Sequence, residues 1–244
     1  MKYGYFIKIL LAFFLAFAPT QAFAKTIKWS MQGDSLTLDP HAQNEGPTTQ
    51  VSRQVYEALV TRGLDMKIGP QLATEWRTQG PNTWIFKLRE DVKFSDGTPF
   101  TSEDVVFSIL RAKQPTSDFK EYISTISSVK AIDKFTIQIK TSKPNPILLN
   151  QLSNIFVMSK EWSTKNFAVV PQNWDAGQET FSAVNAMGTG PFKITLREPN
   201  TKTVFKKNSK WWGDVEHNIT ELQLLPIKNA ATRVAAFFIG INSI

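Results

Sequence analysis

Gly33-Asp34-Ser35-Leu36 places a serine hydroxyl in a turn directly after a predicted strand, and Asp214-x-x-His217 supplies a carboxylate and an imidazole late in the chain. In that order Ser35, His217 and Asp214 could serve as nucleophile, base and the acid that orients the base, the set that acyl transfer to water requires. Such chemistry also needs donors for the developing oxyanion. The Gly-x-Asn-Asp block that would carry them is missing, and the nearest approach, Gly80-Pro81-Asn82-Thr83, reads as a turn. Asp214 to His217 also follows Trp211-Trp212-Gly213 in a polar turn, a natural place for a solvated imidazole.

Other residue groups offer less. Asp39-Pro40-His41 pairs a carboxylate with an imidazole, but an Asp in this setting more often caps its own turn. Gly188-x-Gly190 lacks the Lys-Ser/Thr of a phosphate loop and reads as a tight backbone passage. Lys202, Lys206, Lys207 and Lys210 beside Trp211-Trp212 mix bases with aromatics as single-strand binders do, but at strand spacing lysines form a solvated face. Trp29, Trp76 and Trp84 sit in apolar patterns and are expected in the core. No cysteine is present and there are 2 histidines, which excludes disulfides, thiolate metal centres, Cys nucleophiles, lipidated Cys anchors and multi-histidine metal sites. The two blocks around Ser35 and His217 resemble those of exported serine esterases of the Gly-Asp-Ser-Leu type, and this stands as the alternative function.

The elements that must position these residues follow from patterning. Lys2 and Lys8 precede an unbroken apolar run from Ile9 to Ala18, then Pro19 and a small-x-small site at Ala22-Phe23-Ala24. This reads as a secretory signal peptide over 1–24, too short for the roughly 20 residues of a membrane span. It predicts a periplasmic chain beginning at Lys25, with no transmembrane segment and no nucleic acid partner. Of 244 residues, 28 are Lys or Arg against 21 Asp or Glu, with 42% hydrophobic residues: a globular composition with modest positive charge. Alternation predicts strands at 26–31, 83–89, 92–94, 155–158 and 219–225, and hairpins at 123–140 and 192–207. Helical spacing predicts helices over 48–60, 101–112, 146–152 and 229–238, the second capped by Thr101 or Ser102 with Glu103 and Asp104 in its first turn. Residues 163–187 read as mostly loop. The fold class is mixed α/β or α+β.

The ordered motifs go further than composition. Leu38-Asp39-Pro40-His41, Val55-Tyr56-Glu57-Ala58-Leu59-Val60, Pro70-Gln71-Leu72-Ala73-x-x-Trp76, Thr83-Trp84-Ile85-Phe86-Lys87-Leu88-Arg89, Val92-Lys93-Phe94-Ser95-Asp96-Gly97-Thr98-Pro99-Phe100, Gly188-Thr189-Gly190-Pro191-Phe192, Asn208-x-x-Trp211-Trp212 and Ala231-Thr232-Arg233-Val234-Ala235-Ala236 follow one another along the chain. Together, from about residue 26 to 240, they strongly resemble the family 5 extracellular solute-binding proteins, which include the dipeptide- and oligopeptide-binding proteins of ABC importers.

That resemblance implies a bilobed binding protein without catalysis or cofactor, of the type II periplasmic binding fold. Its partners would be a peptide or other small solute (nickel chelates, opines and sugars are also carried in the family) and the subunits of an inner-membrane permease. The first lobe would comprise residues 25–46 and 160–244, with a small α+β domain inserted over 47–159. Members are usually about twice this length, and Phe237-Phe238-Ile239 onward departs from the pattern, so the expectation is a truncated copy lacking the second lobe. By motif position, Asp34, Ser35, Leu36, Gly188 and Thr189 would face the ligand, with Phe119 and Tyr122 approaching from the inserted domain.

Overall fold

Apolar residues that alternate along Thr83–Leu88 and Thr136–Thr141 put Phe86, Leu88, Ile137 and Ile139 on one face, and each is buried. The computed structural model describes residues 25–215 and 217–238; the expected signal peptide and Ile239 lie outside them. In chain order the elements are β1 (Lys25–Trp29), α1 (Gly46–Val55), β2 (Val60–Arg62), β3 (Ile68–Pro70), β4 (Ala73–Thr78), β5 (Thr83–Leu88), α2 (Ser102–Ala112), a 3₁₀ turn (Lys120–Ile123), β6 (Ile126–Asp133), β7 (Thr136–Thr141), α3 (Leu148–Leu152), α4 (Lys160–Lys165), α5 (Phe181–Val184), β8 (Phe192–Glu198), β9 (Lys202–Lys207), β10 (Ile219–Leu224) and α6 (Ala230–Phe238).

Two four-stranded sheets carry the structure, ordered β1-β10-β9-β8 and β4-β5-β7-β6, with β2-β3 a separate pair. Each has its own core. Phe86, Phe94, Phe100, Val105, Ile109, Ile137 and Ile139 anchor the core under α2. Leu38, Val51, Val55, Tyr56, Phe156, Met158, Phe205 and Leu224 form the other, so α1 packs with the sheet that contains β1. In that sheet β1 pairs with β10 in parallel while β10-β9 and β9-β8 are antiparallel, as the hairpin pattern requires.

The capping signal on α2 is realised. Asp104 Oδ2 accepts the Thr101 N–H at 2.8 Å and its hydroxyl at 3.0 Å, and Oδ1 accepts the Lys160 N–H at 2.9 Å. Burial pushes the Asp104 carboxyl up, and these donors pull it back.

Three expectations are corrected. Residues 92–94 and 155–158 form no strands; each contributes one isolated bridge, Lys93 with Pro99 and Phe156 with Ala58. The loop over 163–187 holds the end of α4 and the whole of α5. Helix α1 ends at Val55, short of the expected Val60. Its end is set from across the molecule: the Gly190 N–H takes the Val55 carbonyl at 2.8 Å. A Cβ on Gly188 would lie 2.2 Å from that carbonyl oxygen, and one on Gly190 2.7 Å from it. The Gly-x-Gly passage therefore exists so that one backbone can press against another. Gly188→Ala is expected to lose about 1–3 kcal/mol in urea unfolding, the usual cost of overpacking. A loss within about 0.5 kcal/mol, the range of a bland surface change, would count against this contact.

Candidate functional site

A groove of about 800 Å³ runs along the carboxyl end of β1, lined by Trp29, Ser30, Met31, Gln32, Gly33, Pro47, Gln50 and Lys228. Its position follows from topology. Strand β1 is at the edge of its sheet and runs parallel to β10. The pairing extends past both strands, since Leu225 and Ile227 donate their N–H groups to the Trp29 and Met31 carbonyls, each at 2.9 Å. In a parallel ladder alternate residues turn their backbone groups to opposite sides. The backbones of Ser30 and Gln32 therefore face the open edge. The Ser30 hydroxyl is buried with no hydrogen-bond partner among the described residues. The amino end of α1 closes one side through Pro47, and Lys228 brings a cation from the segment after β10. Open crevices at the carboxyl ends of parallel strands are where α/β sheets take ligands.

A second depression, of about 600 Å³, lies between the start of α2 and α4, lined by Thr98, Glu103, Asp104, Ser159 and Lys160 among others. Two of its carboxylates are engaged: Glu103 Oε2 meets Lys160 Nζ at 2.9 Å, and Asp104 is held by Thr101 and the Lys160 backbone. Glu161 and Lys165 add one charge of each sign to its lining.

Asp34 follows Gly33 at the end of the groove but is fully engaged. Arg197 Nη1 contacts Asp34 Oδ1 and Oδ2 at 3.0 Å each, and the Asn200 and Ser35 N–H groups add 2.7 and 2.8 Å bonds. Arg197 also donates to the Ser35 carbonyl and the Thr203 hydroxyl. Asn200 meets Asp34 with φ +59°, in the hairpin turn the sequence marks with Pro199-Asn200. Ser35 is buried, its hydroxyl donating to the Thr37 carbonyl with Thr48 Oγ1 at 3.4 Å. Leu36 is exposed at 45%. His217 is exposed and accepts the Ile219 N–H on Nδ1. Neither residue's hydrogen bonds join Ser35 to an imidazole among the described residues.

Asp39 does cap its own turn, accepting the His41 N–H at 3.0 Å. It also does far more, which sequence reasoning missed. Arg111, from the last turn of α2, forms a bidentate pair with it: Nη1 to Oδ1 at 2.8 Å and Nη2 to Oδ2 at 2.6 Å, both side chains at 0% exposure. The remaining Arg111 donors reach the Ala168 and Val170 carbonyls, while Asp39 Oδ2 also accepts the Gln172 N–H and the Ser182 hydroxyl. One buried pair thus ties the turn at 37–41 and helix α2 to the segment from 168 to 182. Burial alone would raise the Asp39 carboxyl, but Arg111 outweighs it and holds the pKa down to about 2. His41 Nδ1 faces Arg111 Nη1 at 3.1 Å and Nε2 faces the Phe156 carbonyl at 2.9 Å. A guanidinium has only donors, so Nδ1 accepts and Nε2–H donates. Burial, then the Arg111 charge, lowers the His41 pKa to about 3, and the ring is neutral.

Phe119 is buried, its ring edge-on to His41 at 6.4 Å and tilted on Tyr122 at 5.8 Å. The Tyr122 hydroxyl accepts from Asn44 at 3.2 Å. Gly188 and Thr189 pass beneath α1, and Thr189 is buried beside Glu57. Glu57 gathers Trp211 Nε1 at 3.1 Å and Trp212 Nε1 at 2.9 Å, and Arg89 stacks 3.8 Å over the Trp212 ring. Burial pushes the Glu57 carboxyl up; the Trp212 and Trp211 donors and the Arg89 charge pull it partly back. No cluster of three or more metal-ligating side chains occurs among the described residues, and no helix there is long and apolar enough to cross a membrane.

Residues 67–240 match the family model described as bacterial extracellular solute-binding proteins, family 5 Middle. The periplasmic murein peptide-binding protein MppA of Escherichia coli K12 is 26% identical over 229 residues, covering 86% of this chain and 41% of MppA. Two solved structures superpose well. AgaA of A. tumefaciens R10, in complex with agropinic acid, has a TM-score of 0.80 at 25% identity, covering 89% of this chain and 43% of AgaA. Haemophilus influenzae OppA, in complex with the peptide RPPGFSPFR, has a TM-score of 0.77 at 25% identity, covering 90% and 45%. The fold is that of one lobe of these proteins, and the chain spans less than half the length of the relatives it matches.

Proposed function

Because this chain belongs to the family 5 bacterial extracellular solute-binding proteins, we propose that it is a periplasmic binding component of an ABC importer, that its solute is a peptide, and that its role is binding rather than catalysis. The observation that carries the reading is the groove beside β1. An open strand edge offers backbone donors and acceptors in the spacing of an extended peptide, the mode by which a ligand adds as a strand. Gln50 and Lys228 supply side-chain contacts, and the Trp29 indole an apolar wall. Peptide ligands of relatives, such as that held by Haemophilus influenzae OppA, favour this over other solutes.

In this reading Asp34 and Ser35 serve the ligand by holding the end of the groove through Arg197 and Thr37, and Leu36 presents its exposed side chain. Gly188 and Thr189 seat α1, whose amino end borders the groove, and Phe119 and Tyr122 support the turn at 37–41 from behind. The first lobe is residues 25–46 with 160–244 and the inserted unit residues 47–159, with α1, at the junction, packed on the sheet of β1.

Titration of the chain with mixed di- to pentapeptides, read by calorimetry, tests the proposal. Gln50→Trp sets an indole across the groove at an exposed helix position, so peptide binding is expected to weaken about tenfold or more, equivalent to about 1.4 kcal/mol, with melting unchanged. Ser35→Ala is expected to create no difference in the hydrolysis of short-chain esters. Binding indifferent to Gln50→Trp would refute the groove, and esterase activity lost with Ser35 would refute the non-catalytic role.

A further inference from the structure

Two arginines away from the groove stand without a counter-charge. Arg62 at the end of β2 is exposed, Arg53 on α1 reaches solvent while partly covered, and neither has a carboxylate within ion-pair distance among the described residues. They are nevertheless held in place. Arg53 Nη2 donates to Asn154 Oδ1 at 3.3 Å and Arg62 Nη2 to Asn150 Oδ1 at 3.1 Å. Asn154 is itself oriented, since its Nδ2 donates back to the Asn150 carbonyl at 3.1 Å and so turns its oxygen toward Arg53. The Arg53 guanidinium also lies 5.7 Å over the ring of Phe156, which is buried.

Asn150 lies in α3 and Asn154 in the turn just past its end, where the bond from Asn154 Nδ2 to the Asn150 carbonyl keeps the two residues together. The two guanidinium groups anchored on them are thereby brought to one patch of the surface. Burial, followed by the charge of Arg62, weakens the hold of Arg53 on its proton, as expected of two cations sharing a site. Only one donor of each fork is spent on an asparagine, and the rest have no protein acceptor among the described residues.

We propose that Arg53 and Arg62, braced by Asn154 and Asn150, form a binding site for a phosphate group. Two neighbouring guanidinium forks bring two positive charges and a row of free donors, and a tetrahedral phosphate, with up to two negative charges and three peripheral oxygens, can accept from both forks at once. The asparagines act as positioning residues that hold the forks open toward solvent. The phosphate comes from a soluble phosphate ester or from a phospholipid headgroup. This site is independent of the peptide reading and of the groove.

The test uses the whole 244-residue chain. Inorganic phosphate and pyrophosphate are titrated in by calorimetry, and the chain is co-sedimented with vesicles of phosphatidylglycerol or of phosphatidylcholine. Saturable pyrophosphate binding is expected, weakened about tenfold or more by Arg53→Gln with Arg62→Gln, the loss that follows from removing charge-assisted hydrogen bonds. Arg53→Lys with Arg62→Lys keeps the charge but loses the fork, so intermediate binding is expected. Lys130→Gln removes a charge from exposed strand β6 and is expected to change nothing. Arg62→Gln relieves a like-charge contact at the surface and is expected to melt like the parent, which keeps the comparison valid if Arg53 variants fold poorly. Sedimentation with phosphatidylglycerol vesicles alone, abolished in the glutamine variants, would place the phosphate on a lipid; pyrophosphate binding alone would place it on a soluble ester. Binding of neither, or losses equal for Lys130→Gln and Arg62→Gln, would overturn the site.

Discussion

Arg111→Met is expected to cost about 3–5 kcal/mol of unfolding free energy, because it leaves the Asp39 carboxylate buried without its cation. For a chain of this size each kcal/mol is worth about 2–4 °C, so melting should fall by about 6–20 °C. Asp39→Asn should be nearly as harmful, since it strands a guanidinium at 0% exposure. The double replacement Asp39→Leu with Arg111→Met should recover only part of the loss. Replacing both members of a buried pair by apolar groups is often neutral. Here, however, the Ala168 and Val170 carbonyls and the Gln172 N–H would still lose their partners. A double-mutant cycle in urea measures this. Single variants that lose less than about 1 kcal/mol, as exposed pairs do, would show that the pair does not carry the packing of residues 168–182.

Acid should unfold the protein through the same cluster. His41 has its pKa lowered to about 3 from an ordinary 6.5, so between those values the unfolded chain binds a proton that the folded one refuses. Stability therefore rises with pH across that window, by about 1.4 kcal/mol per pH unit for one such group. As pH falls from about 6.5, that stability is progressively lost. Asp39 adds a second window lower down: its folded pKa of about 2 lies below the ordinary value of 3.8, so its contribution is present above about pH 4 and lost as pH falls toward 2. His41→Gln isolates the first effect, since its amide can still accept from Arg111 and donate to Phe156. The stability difference between parent and variant should climb from pH 3 to 6.5 and be flat above. A flat difference throughout, or a His41 ring resonance titrating near 6.5, would contradict the buried neutral imidazole.

Helix α2 and the hairpins were legible because their signals are local. Thr101 and Asp104 are three positions apart, and the β8-β9 turn is marked by Pro199-Asn200. The extent of α1 was not: Val51 and Val55 carry the helical period onward toward Leu59, but Gly190 claims the Val55 carbonyl, and the indoles of Trp211 and Trp212 hold Glu57 in place just beyond. Ser35 illustrates the same limit at the site. Gly33-Asp34-Ser35-Leu36 reads as a reactive turn until Arg197 is seen to grip Asp34 and the hydroxyl is seen to point at Thr37. The groove residues Ser30, Gln50 and Lys228 carry no motif, and only the edge position of β1 would have pointed to them.

By itself the sequence determined strands β1, β5 and β10, the hairpins, the capped helix, the mixed α/β class and, through its ordered motifs, the family. Those depend on alternation, helical period, turn chemistry and capping, all of which act within a few residues of one another. The tertiary structure alone decided that Asp39 belongs to Arg111, Asp34 to Arg197, Glu57 to Trp211 and Trp212, Arg53 to Asn154 and Arg62 to Asn150. Each of these joins residues far apart along the chain. A buried charge has to find a partner, but nothing in its own neighbourhood names which one; the packing of two sheets and the path between them does.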